Sequence, residues 1–174
     1  MNKCDNTRRI LEYCREALDE IREQEPMGAT WVRRWASLLA LLRTASLILE
    51  GEAPEWWKRE MVAPNAHIKG RDAKKDWDPP IFGKFIWTDS NLFLHQGKQN
   101  TGQSVAVFAQ GASAQALASG GSEPSVPSPA SPRKTEVSYR MNSGYFENHN
   151  PLDIAEMAII WLQQAIETAE AEAR

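Results

Sequence analysis

The chain has 174 residues and a net charge of −3, with 25% charged and 42% apolar residues, which is typical of one soluble globular domain. This near-neutral charge excludes a protein that binds nucleic acid through strong global electrostatics, while a local basic patch stays open. The polar start MNKCDNTRRI indicates no secretory signal, and no apolar run reaches the roughly 18 residues of a membrane span. We therefore predict a single cytoplasmic domain over residues 1–174 that does not enter a membrane.

The two cysteines, Cys4 and Cys14, lie near and within the first predicted helix. Ten helical residues span about 15 Å, which is too far for a disulfide within that helix. We expect both to be reduced thiols, as is usual in the cytoplasm.

Two amphipathic helices are predicted in the first third of the chain. The first covers residues 6–24, with Asp5 or Asn6 as its cap. The second runs from a cap at Thr30 to about Glu50 and stops at Gly51. Its C-terminal half is apolar nearly all round, which is typical of a helix that is central to a bundle or buried in a dimer interface.

A polar connection and a third helix follow. Residues 52–78 are rich in Trp, Lys and Asp, with a short helix at Glu55–Val62. The third helix begins at Pro80 and ends near Gln96, before Gly97. Its predicted buried stripe is Ile81, Phe82, Phe85, Ile86, Leu92 and Phe93.

The last third of the chain predicts a hairpin and a final helix. The alternating segments Gln103–Ala109 and Thr135–Met141 are typical of paired strands. Between them, Gly111–Lys134 is dominated by Ala, Ser, Gly and Pro, which predicts a mobile hairpin loop. Asn150-Pro151 opens the C-terminal helix as its cap and first residue. The predicted fold is mainly α: a four-helix bundle with a β-hairpin inserted before the C-terminal helix.

Three segments resemble a bacterial and phage family of small HEPN-like proteins. They are IFGKFIWTDSNLFLHQG, the alternating hairpin, and MNSGYFENHNPLDIAEMAIIWLQQAIE, and together they cover about residues 80–169. The resemblance implies a HEPN-like bundle that forms a homodimer. In active HEPN ribonucleases an arginine lies a few residues before a histidine, and two such helices meet across the dimer.

The resemblance places His95 at the position of the catalytic histidine, where it would act as acid and base while the arginine steadies the phosphate. The expected arginine position falls at Asp89 or Ser90, so the motif is incomplete. The alternative role of His95 is structural, as a polar residue at a helix C-terminus. His67 and His149 complete no zinc-like spacing, and no phosphate or dinucleotide motif occurs, so we predict no metal and no cofactor.

A second candidate site is a basic and aromatic cluster in the polar connection. Its residues are Trp56, Trp57, Lys58, Arg59, Arg71, Lys74 and Lys75. Basic groups could meet phosphates while tryptophans stack on bases. Nearby acidic residues nearly cancel the charge, which favours the alternative that the tryptophans cover the end of the bundle.

Three functions are therefore open. The first is a non-catalytic, HEPN-like dimerising protein that binds a protein or RNA partner, in phage defence or its regulation. The second is a weak or conditional metal-independent ribonuclease that uses His95 and takes its arginine from Arg59, Arg71, Arg140 or a partner chain. The third is a phage accessory or anti-defence protein that binds a host complex through its Trp-rich connection.

Overall fold

The computed structural model describes residues 4–70, 73–96, 101–108 and 134–172, with backbone only at 94–96, 102–108 and 134–137. In chain order the elements are α1 (Asp5–Gln24), α2 (Gly28–Glu52), α3 (Pro54–Trp57), a π-helical turn (Lys58–Val62), a 3-10 turn (Ala73–Asp76), a π-helix (Ile81–Asp89), α4 (Ser90–Gln96), β1 (Thr101–Phe108), β2 (Lys134–Met141) and α5 (Pro151–Ala171). The predicted mainly helical fold is confirmed.

The long helices bury apolar residues at alternating three- and four-residue steps. These buried positions are Leu11, Cys14, Leu18 and Ile21 in α1; Trp31, Trp35, Leu38, Leu42, Ala45 and Leu49 in α2; and Leu152, Ala155, Ile159, Leu162, Ile166 and Ala169 in α5. A seam with this spacing keeps one face of each helix turned towards its neighbours. The helices α1, α2 and α5 pack against one another through it.

A ladder of polar contacts fixes the register of α1 against α5. Three arginines seven residues apart reach three acceptors seven residues apart: Arg8 to Glu170 at 2.5 Å, Arg15 to Gln163 at 3.0 Å and Arg22 to Glu156 at 2.6 Å. The two number series run in opposite directions, so the helices are antiparallel. Partly exposed pairs of this kind add little stability each, but together they specify one register.

The first turn of α1 is capped by a residue from another helix. Glu52 accepts hydrogen bonds from the backbone N–H of Asn6 (3.1 Å) and Thr7 (3.0 Å) and from both of their side chains. The prediction that Asp5 or Asn6 caps α1 was wrong, because Glu52 meets the open N–H groups first. Burial opposes ionisation of Glu52, but the four hydrogen bonds outweigh it and hold the pKa of this carboxyl below its ordinary value.

The ends of α2 also differ from the prediction. The helix begins at Gly28, without a side-chain cap, so Thr30 is not its cap. It continues past Gly51 to Glu52, because the side chain of Glu52 is held at the start of α1. The predicted first residue of α5 is confirmed: Pro151 opens it, and Asn150 Oδ1 accepts from Leu152 N–H at 3.0 Å.

The third helix has an unexpected form. Its first nine residues, Ile81–Asp89, form a π-helix, and only Ser90–Gln96 is α-helical. Thr88 Oγ1 donates to the Gly83 carbonyl, five residues earlier, at 2.7 Å. In a π-helix residues five apart lie one turn apart, so Phe82 and Trp87 share a face with ring centroids 6.2 Å apart. No pattern in the sequence marks this change.

The two strands form a sheet of their own. The strands β1 and β2 pair as a two-stranded sheet, which confirms the predicted hairpin. The predicted loop lies outside the described residues except for Lys134, which begins β2. Tyr139, next to α2, stacks on Trp31 at 4.0 Å and donates from its hydroxyl to the Pro26 carbonyl.

Two further sequence predictions concern the cysteines and the membrane. Cys4 and Cys14 are both buried, and burial raises the pKa of the Cys14 thiol to about 12. Within the described ranges, no helix has the length and apolar content that crossing a membrane requires.

Candidate functional site

Four tryptophans gather round one phenylalanine at the joint between the polar connection and the π-helix. The ring of Phe82 lies 5.4 Å from Trp57, 5.9 Å from Trp77, 6.2 Å from Trp87 and 5.8 Å from Trp161. Phe82 itself is 1% exposed. We call these five residues the tryptophan cluster. Aromatic pairs in these tilted and edge-on arrangements stabilise each other beyond the area they bury.

The polar connection is held in place by Asn65, a buried amide. Its Nδ2 donates to the carbonyls of Met61 (2.8 Å) and Asp78 (3.0 Å), and its Oδ1 accepts from the Asp78 N–H (2.9 Å). Asn65 is only 2% exposed, so these bonds have little competition from water. One side chain thus joins the two ends of a connection that has little regular structure.

Gly83 lets the 3-10 turn lie directly against the π-helix. A Cβ at this position would stand 2.4 Å from the Trp77 carbonyl oxygen and 3.0 Å from that of Lys74. No side chain larger than hydrogen fits without a backbone shift. Because Gly83 has no side chain, the backbone of Lys74 and Trp77 can lie close to the π-helix, beside Phe82.

The ammonium of Lys74 lies among three tryptophans. Its Nζ is 4.8 Å from the ring centroid of Trp87, 5.5 Å from Trp77 and 5.9 Å from Trp57. Glu50 closes the group with an oxygen 3.0 Å from the same nitrogen. We call the three rings with Glu50 the lysine cage. Rings within about 6 Å of a cation attract it through their quadrupoles.

Arg43 reaches Trp87 from α2. Its guanidinium carbon lies 3.5 Å from the ring centroid, and its Nη1 is 3.2 Å from the Trp87 carbonyl oxygen and 3.4 Å from Ser90 Oγ. Within the described residues no carboxylate pairs with it. Burial therefore lowers the pKa of this guanidinium. Arg43 is not among the binding residues that the sequence predicts, although it is the one charged residue between Arg34 and Glu50.

Three indole N–H groups in this region lack an acceptor. Trp56, Trp57 and Trp77 are all at least nine-tenths buried, and no described atom accepts from their Nε1. The Nε1–H of Trp31, in the core, likewise has no described acceptor. Buried donors of this kind can be paired by water or by a ligand.

The predicted binding residues divide into three groups. Trp56 and Trp57 are 7% and 2% exposed, so their rings pack inside the protein and would have to be uncovered before they could stack on bases. Lys74 lies in the lysine cage. The remaining positions are Lys58 and Lys75, which are exposed, Arg59, which pairs with Glu60 and Glu172, and Arg71, which lies outside the described residues. Binding of RNA by this set stays a prediction.

Two of the three histidines, His67 and His149, have described side chains, and each contacts a nearby backbone carbonyl. His95 lies in α4, and its side chain is outside the description. His67 Nδ1 is 3.1 Å from the Pro64 carbonyl oxygen, and His149 Nδ1 is 3.2 Å from that of Phe146. Among the residues whose side chains are described, no three ligand-type groups are placed to hold a metal.

Comparison with known proteins found no matching protein family, curated protein or solved structure. The HEPN-like resemblance therefore rests on the three quoted segments alone and stays a prediction. The structure shows a mainly helical chain with a hairpin before its last helix, which is the coarser part of that prediction.

Proposed function

We propose that this chain is a HEPN-like, non-catalytic protein that acts as a homodimer and binds a further protein or RNA partner. The observation that carries the dimer is the outward face of α2. Ser37, Thr44 and Leu47 are exposed along it, with Leu47 at 47%. Ala40, Leu41 and Ile48 beside them are half-buried. An uncharged face of this kind on a helix is typical of a contact with another protein.

The face is long enough for a helix-to-helix contact. From Ser37 to Ile48 it extends about 16 Å along α2. Its exposed and half-buried residues together follow the three- and four-residue steps of a helix seam, and small side chains at Ser37 and Ala40 allow close approach. Arg43 is the one charge between Arg34 and Glu50, and it turns inward to Trp87.

A second copy fits this face in the antiparallel direction. With the crossing point between Ala40 and Thr44, Arg33 of one copy lies opposite Gly51, at the C-terminal end of α2, in the other. The helix dipoles then oppose each other, which is favourable. A two-fold axis uses the same face twice, so one patch supplies both halves of the interface.

Sedimentation equilibrium tests the dimer. We expect the wild type to dimerise and Leu47→Glu to weaken the dimer at least about tenfold, because it places a charge in an apolar contact. Met157→Glu is the matched control, since Met157 is 51% exposed on α5, away from this face. A wild type that stays monomeric at about 100 μM, or equal effects of both variants, would refute the proposed interface.

A second candidate function, a metal-independent ribonuclease, is favoured by the position of Arg43. The resemblance expects an arginine at Asp89 or Ser90, ahead of His95. Arg43 brings a guanidinium to that point from α2, 3.4 Å from Ser90 Oγ. Of the replacements that the sequence suggested, Arg59 is engaged by two glutamates, and Arg140 is exposed on β2.

RNA cleavage with EDTA and with Mg²⁺ separates the two functions. A ribonuclease requires cleavage in both, its loss in His95→Ala, and a loss of about 100-fold or more in Arg43→Gln. Arg9→Gln, at an exposed arginine on α1 that donates to Asn6, is the control and should cleave as the wild type does. Absence of cleavage by the wild type leaves the binding function, and undiminished cleavage by His95→Ala excludes the proposed mechanism.

A further inference from the structure

We propose that the lysine cage is a binding site for an N-methylated ammonium ion and that Lys74 occupies this site as an internal plug. The site is made of Trp57, Trp77 and Trp87, which meet on one cation, with the carboxylate of Glu50 3.0 Å from it. Three aromatic rings with one carboxylate are the arrangement by which proteins recognise methylated ammonium groups. The site uses none of the exposed residues of the dimer face, Ser37, Thr44 and Leu47.

The distances favour a methylated cation over a primary ammonium. A methyl carbon in contact with a ring lies about 3.5–4.0 Å from it. The nitrogen of that methyl group is one bond of about 1.5 Å further away, at roughly 5.0–5.5 Å. Lys74 Nζ lies 4.8, 5.5 and 5.9 Å from the three centroids, so the mean of the three distances is close to the separation expected for a methylated nitrogen. Arg43 shows the contrast, because its guanidinium carbon contacts Trp87 at 3.5 Å.

Lys74 can leave the cage without unfolding the site. Its side chain is 24% exposed and that of Glu50 is 38% exposed, so the ammonium has a direct route to water. A primary ammonium is strongly hydrated and recovers that hydration outside the cage. The rings do not depend on the plug, because Phe82 contacts all three of them from within the core.

The indole groups of the cage offer hydrogen-bond donors to a ligand. Trp57 and Trp77 each carry a buried Nε1–H without an acceptor among the described atoms. Trp31, stacked between Trp35 and Tyr139 in the core, has the same property, so the proposal is carried by the three rings and Glu50 and not by these donors.

Titration with tetramethylammonium chloride, followed by tryptophan fluorescence, tests the proposal. We expect saturable binding to Lys74→Ala and at least about tenfold weaker binding to the wild type, because only the unplugged fraction of the wild type can bind. Lys75→Ala, on the same 3-10 turn but exposed, should behave as the wild type does. Sodium chloride at equal ionic strength corrects for screening.

A neutral ligand of the same shape, 3,3-dimethylbutan-1-ol, separates cation recognition from simple filling. We expect it to bind Lys74→Ala at least about tenfold more weakly than the ammonium, since it lacks the charge that the rings and Glu50 attract. Equal binding of the two probes would overturn the proposal. So would the absence of saturation in Lys74→Ala at about 100 mM, far above a millimolar Kd. If Lys74→Ala does not fold, the wild type is titrated with both probes instead. Its binding of tetramethylammonium should still saturate, at a higher concentration, so the two probes can be compared in the same way.

Discussion

The seam of α1, α2 and α5 and the tryptophan cluster are built on different principles. The seam repeats mainly aliphatic side chains every three or four residues, and each position resembles the next. The cluster instead depends on single contacts: one phenylalanine at its centre, one buried amide and one glycine without room for a methyl group. A repeated pattern tolerates local change because neighbouring positions make similar apolar contacts. A set of unique contacts does not, and such sets are where ligands and function are usually found.

The largest effect is expected at the centre of the cluster. Phe82→Ala should lower the free energy of unfolding by about 3–5 kcal/mol, because it empties a fully buried aromatic site. Leu162→Ala in the seam, also fully buried, should cost about 2–5 kcal/mol. Urea unfolding measures both. The difference lies in native tryptophan emission, which we expect to change in Phe82→Ala alone; identical native spectra would contradict the central role of Phe82.

The buried amide gives the next test. Asn65→Ala should destabilise the protein by about 2–3 kcal/mol, because it leaves the carbonyl of Met61 and both backbone groups of Asp78 without their partner. Asn142→Ala, at an exposed position, should stay within about 0.5 kcal/mol of the wild type. Thermal unfolding by circular dichroism compares the two. Equal melting temperatures would show that the connection is held by other contacts.

Two glycine substitutions should have opposite signs. Gly83→Ala should cost about 1–3 kcal/mol, because the new methyl group meets the backbone of Trp77 and Lys74. Gly51→Ala should add about 0.5–1 kcal/mol, since it lies within α2 with nothing within 4 Å of the new Cβ. Chemical denaturation of both variants gives the comparison. A neutral Gly83→Ala would mean that the 3-10 turn moves away at little cost.

The smallest effect concerns the cap of α1. Because the folded pKa of Glu52 is lowered, its stabilisation is fully present above the unfolded pKa of about 4.3. It is lost as the pH falls through the folded pKa. Glu52→Gln should cost about 1 kcal/mol at pH 7, and this difference should shrink on acidification. Unfolding between about pH 7 and pH 3 measures it, with the exposed Glu55→Gln as the control. A difference that is constant with pH would exclude the ionised cap.

The sequence predicted the seam because helix periodicity is local information. The three long helices were found to within a few residues, and Asn150-Pro151 marked the start of α5 correctly. The capping residue of α1 was predicted wrongly, because the capping group comes from Glu52, 45 residues further along the chain from Thr7. No local pattern contains that contact.

The site was less predictable for a related reason. The sequence named Trp57 and Lys74 as binding residues, but not that they would face each other across a cage. Arg43 meets Trp87 across 44 residues of chain, and the π-helix that turns Trp87 towards it has no marker in the sequence. The one available signal was a single charge in the apolar stretch between Arg34 and Glu50. Such a charge needs a partner when it is buried, and asking where that partner lies would have pointed to Arg43.

The contact between Glu52 and the start of α1 also bears on the order of folding. It closes α1 and α2 into a helical hairpin whose contacts all lie within the first 52 residues. By contrast, the ladder to α5 joins residues up to 162 positions apart. Loop closure over short distances costs less entropy, so we expect the α1–α2 hairpin to form before α5 packs against it. During synthesis this hairpin can assemble while the tryptophan cluster and α5 have still to leave the ribosome.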